Sequence, residues 1–221
     1  MSAPTGDRPH TELVLIRHGV TAWNRDRRFQ GQIDIPLDDE GLTQAMRTSR
    51  RLADWPLAVV YASDLARARQ TAEPIAAALG LALRVESRLR ERHYGGFEGR
   101  THGELQRDEA EAWRRWRARE PDFELPGGGE SLRAFHARVD AVLHELVRRH
   151  PGRTVAVVTH GGVLDSAFRI ATGLPLEAPR GHDLLNASLN RIAWDGRAFS
   201  LIAWADVAHL AEALDDVGVR R

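Results

Sequence analysis

Two short apolar runs, Leu13-Val14-Leu15-Ile16 and Val155-Ala156-Val157-Val158, constrain this chain more than any other feature. Each is too short for a helix and rich in branched side chains, so each reads as a strand. Runs without polar alternation suit strands covered on both faces, as in a parallel sheet between helix layers. Val59-Val60-Tyr61 repeats the pattern, and Leu83 to Val85 is a weaker third example. Helical periodicity fills the intervals, in Thr43 to Leu52 and Val163 to Thr172. It recurs in Leu65, Ala68, Ala72, Ile75, Ala76 and Leu79 behind a Ser63 or Asp64 cap, and in Leu132, Phe135, Val139, Val142, Leu143, Leu146 and Val147 behind Ser131. Pro74 is expected to kink its helix or end the first half. Leu189 to Trp194 and Phe199 to Ala205, joined by Asp195-Gly196, read as a hairpin. The expected fold is α/β: three αβα layers, with a mostly parallel sheet, helices on both faces and an antiparallel edge strand.

Composition limits what this fold can serve. The chain has 221 residues, 43% of them apolar and 28% charged, enough for one domain with a real core. Residues 1–10 are expected to form a flexible N-terminal tail. Residues 11–221 form one domain, in which the highly charged segment 100–129 acts as a helical lid. Basic and acidic residues balance at 31 each, giving no bulk attraction to nucleic acid or an anionic membrane. Cysteine is absent, which removes disulfides and thiolate metal sites. The first ten residues carry no apolar leader, and no run approaches a membrane span. A soluble cytoplasmic protein is the expectation, and exposed sheet edges would permit a homodimer.

In open parallel sheets ligands bind beyond the C-terminal ends of the strands. The first run ends in Arg17-His18-Gly19, the second strand in Ser63-Asp64 with Arg67 following, and the valine-rich run in Thr159-His160-Gly161-Gly162. Glu91 lies just past the third strand. Two histidines, two arginines and a carboxylate would therefore share one rim. Arginine forks match phosphate oxygens and can stabilise the charge of phosphoryl transfer. A neutral histidine can carry the phosphoryl group covalently. Neighbouring Arg17 and Arg67 disfavour its imidazolium, and a carboxyl at Glu91 can protonate the leaving oxygen.

These residues belong to ordered blocks. Leu15-Ile16-Arg17-His18-Gly19 is followed by Thr21-Ala22-Trp23-Asn24, Gln30-Gly31, Ser63 through Ala72, Leu89 through Gly99, Gly128-Gly129-Glu130-Ser131 and Val158 through Gly162. The series resembles the histidine phosphatase superfamily, also called phosphoglycerate mutase-like, over roughly residues 11 to 205. The resemblance implies that His18 is the phosphorylated residue. It also implies that Arg17, Arg67 and His160 form the phosphate pocket and that Glu91 is the proton donor. Asn24, Gln30 and Tyr94 fall with the substrate-binding positions, and Gly31 and Gly161 with backbone amides. No metal and no organic cofactor are implied, and the expected partner is a small phosphorylated metabolite.

Other histidines read as structural: His10, His102, His136, His144, His150 and His209. Arg69 reads as a surface residue, and Arg92, His93 and Glu98 as supports for the Glu91 loop. Trp113-Arg114-Arg115-Trp116-Arg117 reads as an amphipathic lid helix with packed tryptophans, lending Arg114 or Arg115 to the substrate. Acidic neighbours weaken a nucleic-acid reading of that segment. The short span from Trp113 to Ser131, His102 where the mutases carry lysine, and Gly161-Gly162-Val163-Leu164 favour the phosphatase branch over a cofactor-dependent phosphoglycerate mutase. A catalytically silent phospho-ligand binder would not need Glu91. A histidine–metal hydrolase would place its cation against arginines.

Overall fold

The computed structural model describes residues 10–211. The expected tail, His10 apart, lies outside the described residues. Six strands form one sheet: β1 Thr11–Arg17, β2 Leu57–Ala62, β3 Leu83–Val85, β4 Thr154–Thr159, β5 Leu189–Trp194 and β6 Phe199–Asp206. Their order is β3-β2-β4-β1-β5-β6. β1, β2, β3 and β4 run parallel, and β5 pairs antiparallel with both β1 and β6. The helices are α1 Ala22–Arg25, α2 Asp39–Leu52, α3 Ala66–Ala78, α4 His102–Asp108, α5 Ala110–Arg117, α6 Leu132–Arg149, α7 Gly161–Thr172 and α8 Ala208–Ala211.

The alternation of side chains along each strand sorts the apolar runs onto two faces. Leu13, Leu15, Val155 and Val157 meet Phe135, Val139, Leu143 and Leu164 from α6 and α7. Val14, Ile16, Ala156 and Val158 meet Leu52, Ala68, Ala72 and Ile75 from α2 and α3. A third cluster of Phe29, Phe97, Leu105, Trp113 and Leu125 sits apart from the sheet and supports the helices of segment 100–129.

The sheet is α/β and mostly parallel with an antiparallel margin, as expected. Two local expectations change. α3 runs unbroken through Pro74. Its apolar stripe continues on both sides of the proline and packs on the sheet, which outweighs the loss of one helical hydrogen bond. Neither Ser63 nor Asp64 caps α3; Asp34 does, its Oδ1 accepting from Ala66 N at 2.7 Å. Asp64 is held by Arg90 instead, at 2.7 and 2.5 Å. Ser131 caps α6 as expected, accepting from Ala134 N at 3.1 Å.

Register aligns the reactive strand ends. Arg17 lies opposite Thr159, and Ala62 opposite Val158. His18 N then donates to Thr159 O at 2.9 Å, and Ser63 N to Val158 O at 3.0 Å. The segments after β1, β2 and β4 thus leave the sheet side by side.

Candidate active site

Beyond these strand ends lies a cavity of about 700 Å³. Arg17, His18, Asn24, Gln30, Gly31, Arg67, Glu91, Tyr94 and Gly161 all line it. His160 lies directly behind, its ring centroid 5.2 Å from that of His18.

His18 is buried, and its Nδ1 lies 2.7 Å from Gly19 O. A carbonyl can only accept, so Nδ1 carries the proton and Nε2 keeps its lone pair. Burial, then the charges of Arg67 and Arg17, hold His18 well below the ordinary histidine value. His160 is fully buried and also held well below it, by burial first and then by Arg67. Both rings are therefore neutral at neutral pH, the state a nitrogen nucleophile requires.

The two arginines are held through backbone carbonyls. Arg67 enters from the first turn of α3 and donates to Ile33 O at 3.0 Å and Gly31 O at 2.7 Å. Burial lowers it to about 10, so it stays charged at neutral pH. Arg17 Nη1 donates to Leu184 O, and burial lowers this guanidinium as well. Neither carries a direct carboxylate partner. Each Nε is buried without a hydrogen bond, which leaves uncompensated donors at the pocket floor. An oxyanion would satisfy them.

Glu91 is fixed by two backbone donors. Arg92 N reaches Oε1 at 2.8 Å, and Gly162 N reaches Oε2 at 2.9 Å. Its backbone is clamped from α6, because Arg138 donates to Arg88 O, Arg90 O and Glu91 O at 2.7, 3.0 and 3.3 Å. Thr159 Oγ1 adds a bond of 2.8 Å to Leu89 O. A Cβ at 162 would stand 2.1 Å from Glu91 Oε1, so only glycine leaves the carboxylate where it is.

Asn24 Oδ1 serves the fold, accepting from Thr21 N at 3.1 Å and Asn186 Nδ2 at 3.3 Å. Asn186 Nδ2 also donates to His18 O at 3.0 Å, so it braces the His18 backbone. Gln30 is buried with Oε1 unpartnered. Burial, then the charge of Glu91, raises Tyr94 and keeps its phenol protonated. Glu98 is a bracket, its Oε1 accepting from Gln32 N at 3.0 Å and Tyr94 N at 2.9 Å. Arg69 sits on the surface beside Glu73 at 3.6 Å.

Arg114 and Arg115 do not reach the cavity. Arg114 pairs with Glu111 at 2.7 Å, and Arg115 with Glu120 at 2.6 Å. Trp113 and Trp116 stack with centroids 4.9 Å apart and turn their face of α5 to the cavity. At about 100° per residue, Arg117 falls beside that face while Arg114 and Arg115 fall away from it. Arg117 accordingly lines the cavity, a placement the helical period makes available from sequence. His102, read as structural, also lines it, packed against Phe29 and Trp113 at 5.0 Å each. Arg28, Arg119, Asp165, Arg180 and His182 complete the outer wall from loops and α7. No local pattern marks them.

The family model described as histidine phosphatase superfamily (branch 1) matches residues 13–207. Phosphoglycerate mutase-like protein 4 of Arabidopsis thaliana is 38% identical over 209 residues, 93% of this chain and 90% of that one. The metal-independent phosphoserine phosphatase of Arabidopsis thaliana is 39% identical over 204 residues, covering 91% and 84% of the two chains. Among solved structures, a mycobacterial glucosyl-3-phosphoglycerate phosphatase superposes with a TM-score of 0.78 at 32% identity, covering 89% of this chain and 99% of that one.

Proposed function

The chain belongs to the histidine phosphatase superfamily, and we propose that it is a metal-independent phosphatase of small phosphate monoesters, acting through a phosphohistidine on His18. The carrying observation is the His18 ring, its Nδ1 on Gly19 O and its Nε2 left free beside two arginines that lack carboxylate partners. Arg17 and Arg67 hold the phosphoryl oxygens, and His160 fills the floor behind them. His18 Nε2 attacks phosphorus, the bond to the alcohol oxygen breaks, and Glu91 gives that oxygen its proton. Water then attacks the phosphohistidine and Glu91 takes its proton. The phosphorus–nitrogen bond breaks, releasing phosphate and restoring both residues.

Segment 100–129 supports water as the final acceptor. Its two short helices, α4 and α5, wall the cavity with Phe29, Trp113 and Trp116 without filling it. An open cavity admits water, whereas a mutase must retain and reuse its intermediate. A panel of small phosphate esters, assayed for released phosphate with a phosphoglycerate mutase assay alongside, tests the reading. Release of phosphate without isomerisation is expected; isomerisation faster than release would overturn it.

A further inference from the structure

The outer cavity is more positive than phosphate binding requires. Seven arginines line it against four carboxylates, Glu91, Glu120, Asp165 and Asp183. Arg17 and Arg67 belong to the phosphoryl pocket. Arg28 is held by Gly99 O at 2.9 Å, Arg92 by Glu130 O at 2.7 Å and Arg119 by Asp165 at 2.7 Å. Arg117 and Arg180 have neither a hydrogen bond nor an ion pair among the described residues. Their charges act in different places. That of Arg117 is felt by His102, at the aromatic wall. That of Arg180 is felt by Arg17 and Tyr94, at the phosphoryl pocket itself.

The loop carrying Arg180 is anchored on both sides of it. Arg169 from α7 donates to Pro175 O and, at 3.0 Å, to Ala178 O. Arg119 Nε donates to Leu176 O at 2.7 Å. Beyond Arg180, the His182 ring stacks on Phe168 at 3.8 Å between centroids, and Trp204 Nε1 donates to Asp183 O at 2.8 Å. Arg17 closes the series on Leu184 O. These contacts fix the backbone from which the exposed Arg180 side chain reaches the cavity rim.

We propose that Arg180 forms a subsite for a second anionic group on the alcohol part of the substrate, a carboxylate or a second phosphate a few bonds from the ester. The proposal rests on the phosphoryl pocket described above and names the class of ester it takes. A cationic group fits the rim poorly. Arg119 and Arg169 hold Asp165 Oδ2 at 2.7 and 3.1 Å, so its charge is outnumbered, and Glu120 is paired with Arg115 at 2.6 Å. Asp183 lessens the positive balance without reversing it. An arginine bonding a carboxylate or phosphate forms charge-assisted hydrogen bonds and discriminates strongly against a neutral isostere.

Calorimetric titration tests this with paired probes that differ in one anionic group. 3-Phosphoglycerate against glycerol 3-phosphate reads the carboxylate, and propane-1,3-diol bisphosphate against propyl phosphate reads the second phosphate. A His18→Asn chain keeps the esters from being consumed. Competition of the same probes with orthovanadate on the unsubstituted chain gives the ranking without that substitution. At least one probe with two anionic groups is expected to bind roughly tenfold tighter than the partner that carries only the phosphate. Arg180→Ala should abolish the difference, Arg180→Lys should restore part of it, and added salt should shrink it. Equal binding within both pairs, or an Arg180→Ala loss shared by all four probes, overturns the proposal. Failure to bind any probe overturns the phosphoryl pocket with it. A charge preference found together with no hydrolysis of any ester by the unsubstituted chain would sink the phosphatase reading and leave the subsite standing.

Discussion

Glu91 and Gly162 are joined by a hydrogen bond of 2.9 Å between the segment after β3 and the first turn of α7, and a side chain at 162 would collide with the carboxylate where it stands. The Glu91 carboxylate is therefore positioned by the first turn of α7, which His160 joins to β4. Substituting Gly162→Ala would place a methyl group 2.1 Å from Oε1 and 3.2 Å from Phe135. Glu91 must then move. A misplaced general acid costs roughly 10²–10⁴-fold in rate. The loss in kcat should be greatest for alkyl phosphates, whose leaving oxygens need the proton, and least for aryl phosphates. Equal slowing of both classes would remove Glu91 from that role. Glu91→Gln should show the same leaving-group dependence.

Phosphoryl capture on His18 can be read directly. Rapid quenching during turnover of a labelled ester should trap an acid-labile phosphate on the His18 imidazole, and His18→Asn should trap none. Label on another residue would overturn the mechanism. Turnover should also survive chelator, since the arginines supply the positive charge. Loss of activity in EDTA, restored by a divalent cation, would contradict this.

Two buried histidines make acid tolerance of chemistry and of fold diverge. His18 and His160 both titrate well below 6.5 in the folded chain, chiefly through burial. Below about pH 6.5 the unfolded chain takes up protons that the folded chain refuses. Stability should therefore fall as pH drops through that value, and Tm should fall with it. The nucleophile stays neutral through the same range, so phosphorylation of His18 should persist below pH 6.5 while the chain remains folded. A Tm independent of pH between about 7 and 5 would contradict the burial argument. His160→Gln should flatten the Tm slope.

Asp165 ties the end of α5 to α7. Its Oδ2 takes Arg119 and Arg169 together, and Arg169 is nearly inaccessible. Asp165→Asn leaves the buried Arg169 and the part-buried Arg119 guanidinium groups without their counter-charge. Breaking a buried pair on one side costs about 3–5 kcal/mol, which for a chain of this size lowers Tm by roughly 10 °C. Asp165→Ala should be at least as damaging. A change of less than a degree would mean that Arg119 and Arg169 are held by their carbonyl contacts alone.

Much of the floor of the site is legible in the chain because it sits at strand ends. An apolar run fixes a strand, the strand fixes where its last residue points, and Arg17, His18, Thr159 and His160 follow. Arg67 follows by one helical turn. The period of α5 also carries more than a first reading takes from it. Trp113 and Trp116 set the inward face, and that excludes Arg114 and Arg115 in favour of Arg117. The expectation that Pro74 ends the first half of its helix is not met for a related reason, since the buried stripe continues past the proline.

The sequence by itself determined the layered α/β sheet and the gathering of Arg17, His18, Arg67 and His160 at one end of it, because short-range periodicity and strand termini encode them. Tertiary structure alone decided that Asp34 caps α3, that Gly162 positions Glu91 and that Arg180 stands at the mouth. Those placements depend on loops that meet only after the sheet has closed. Contacts between distant, irregular segments leave no period in the chain from which they could be read.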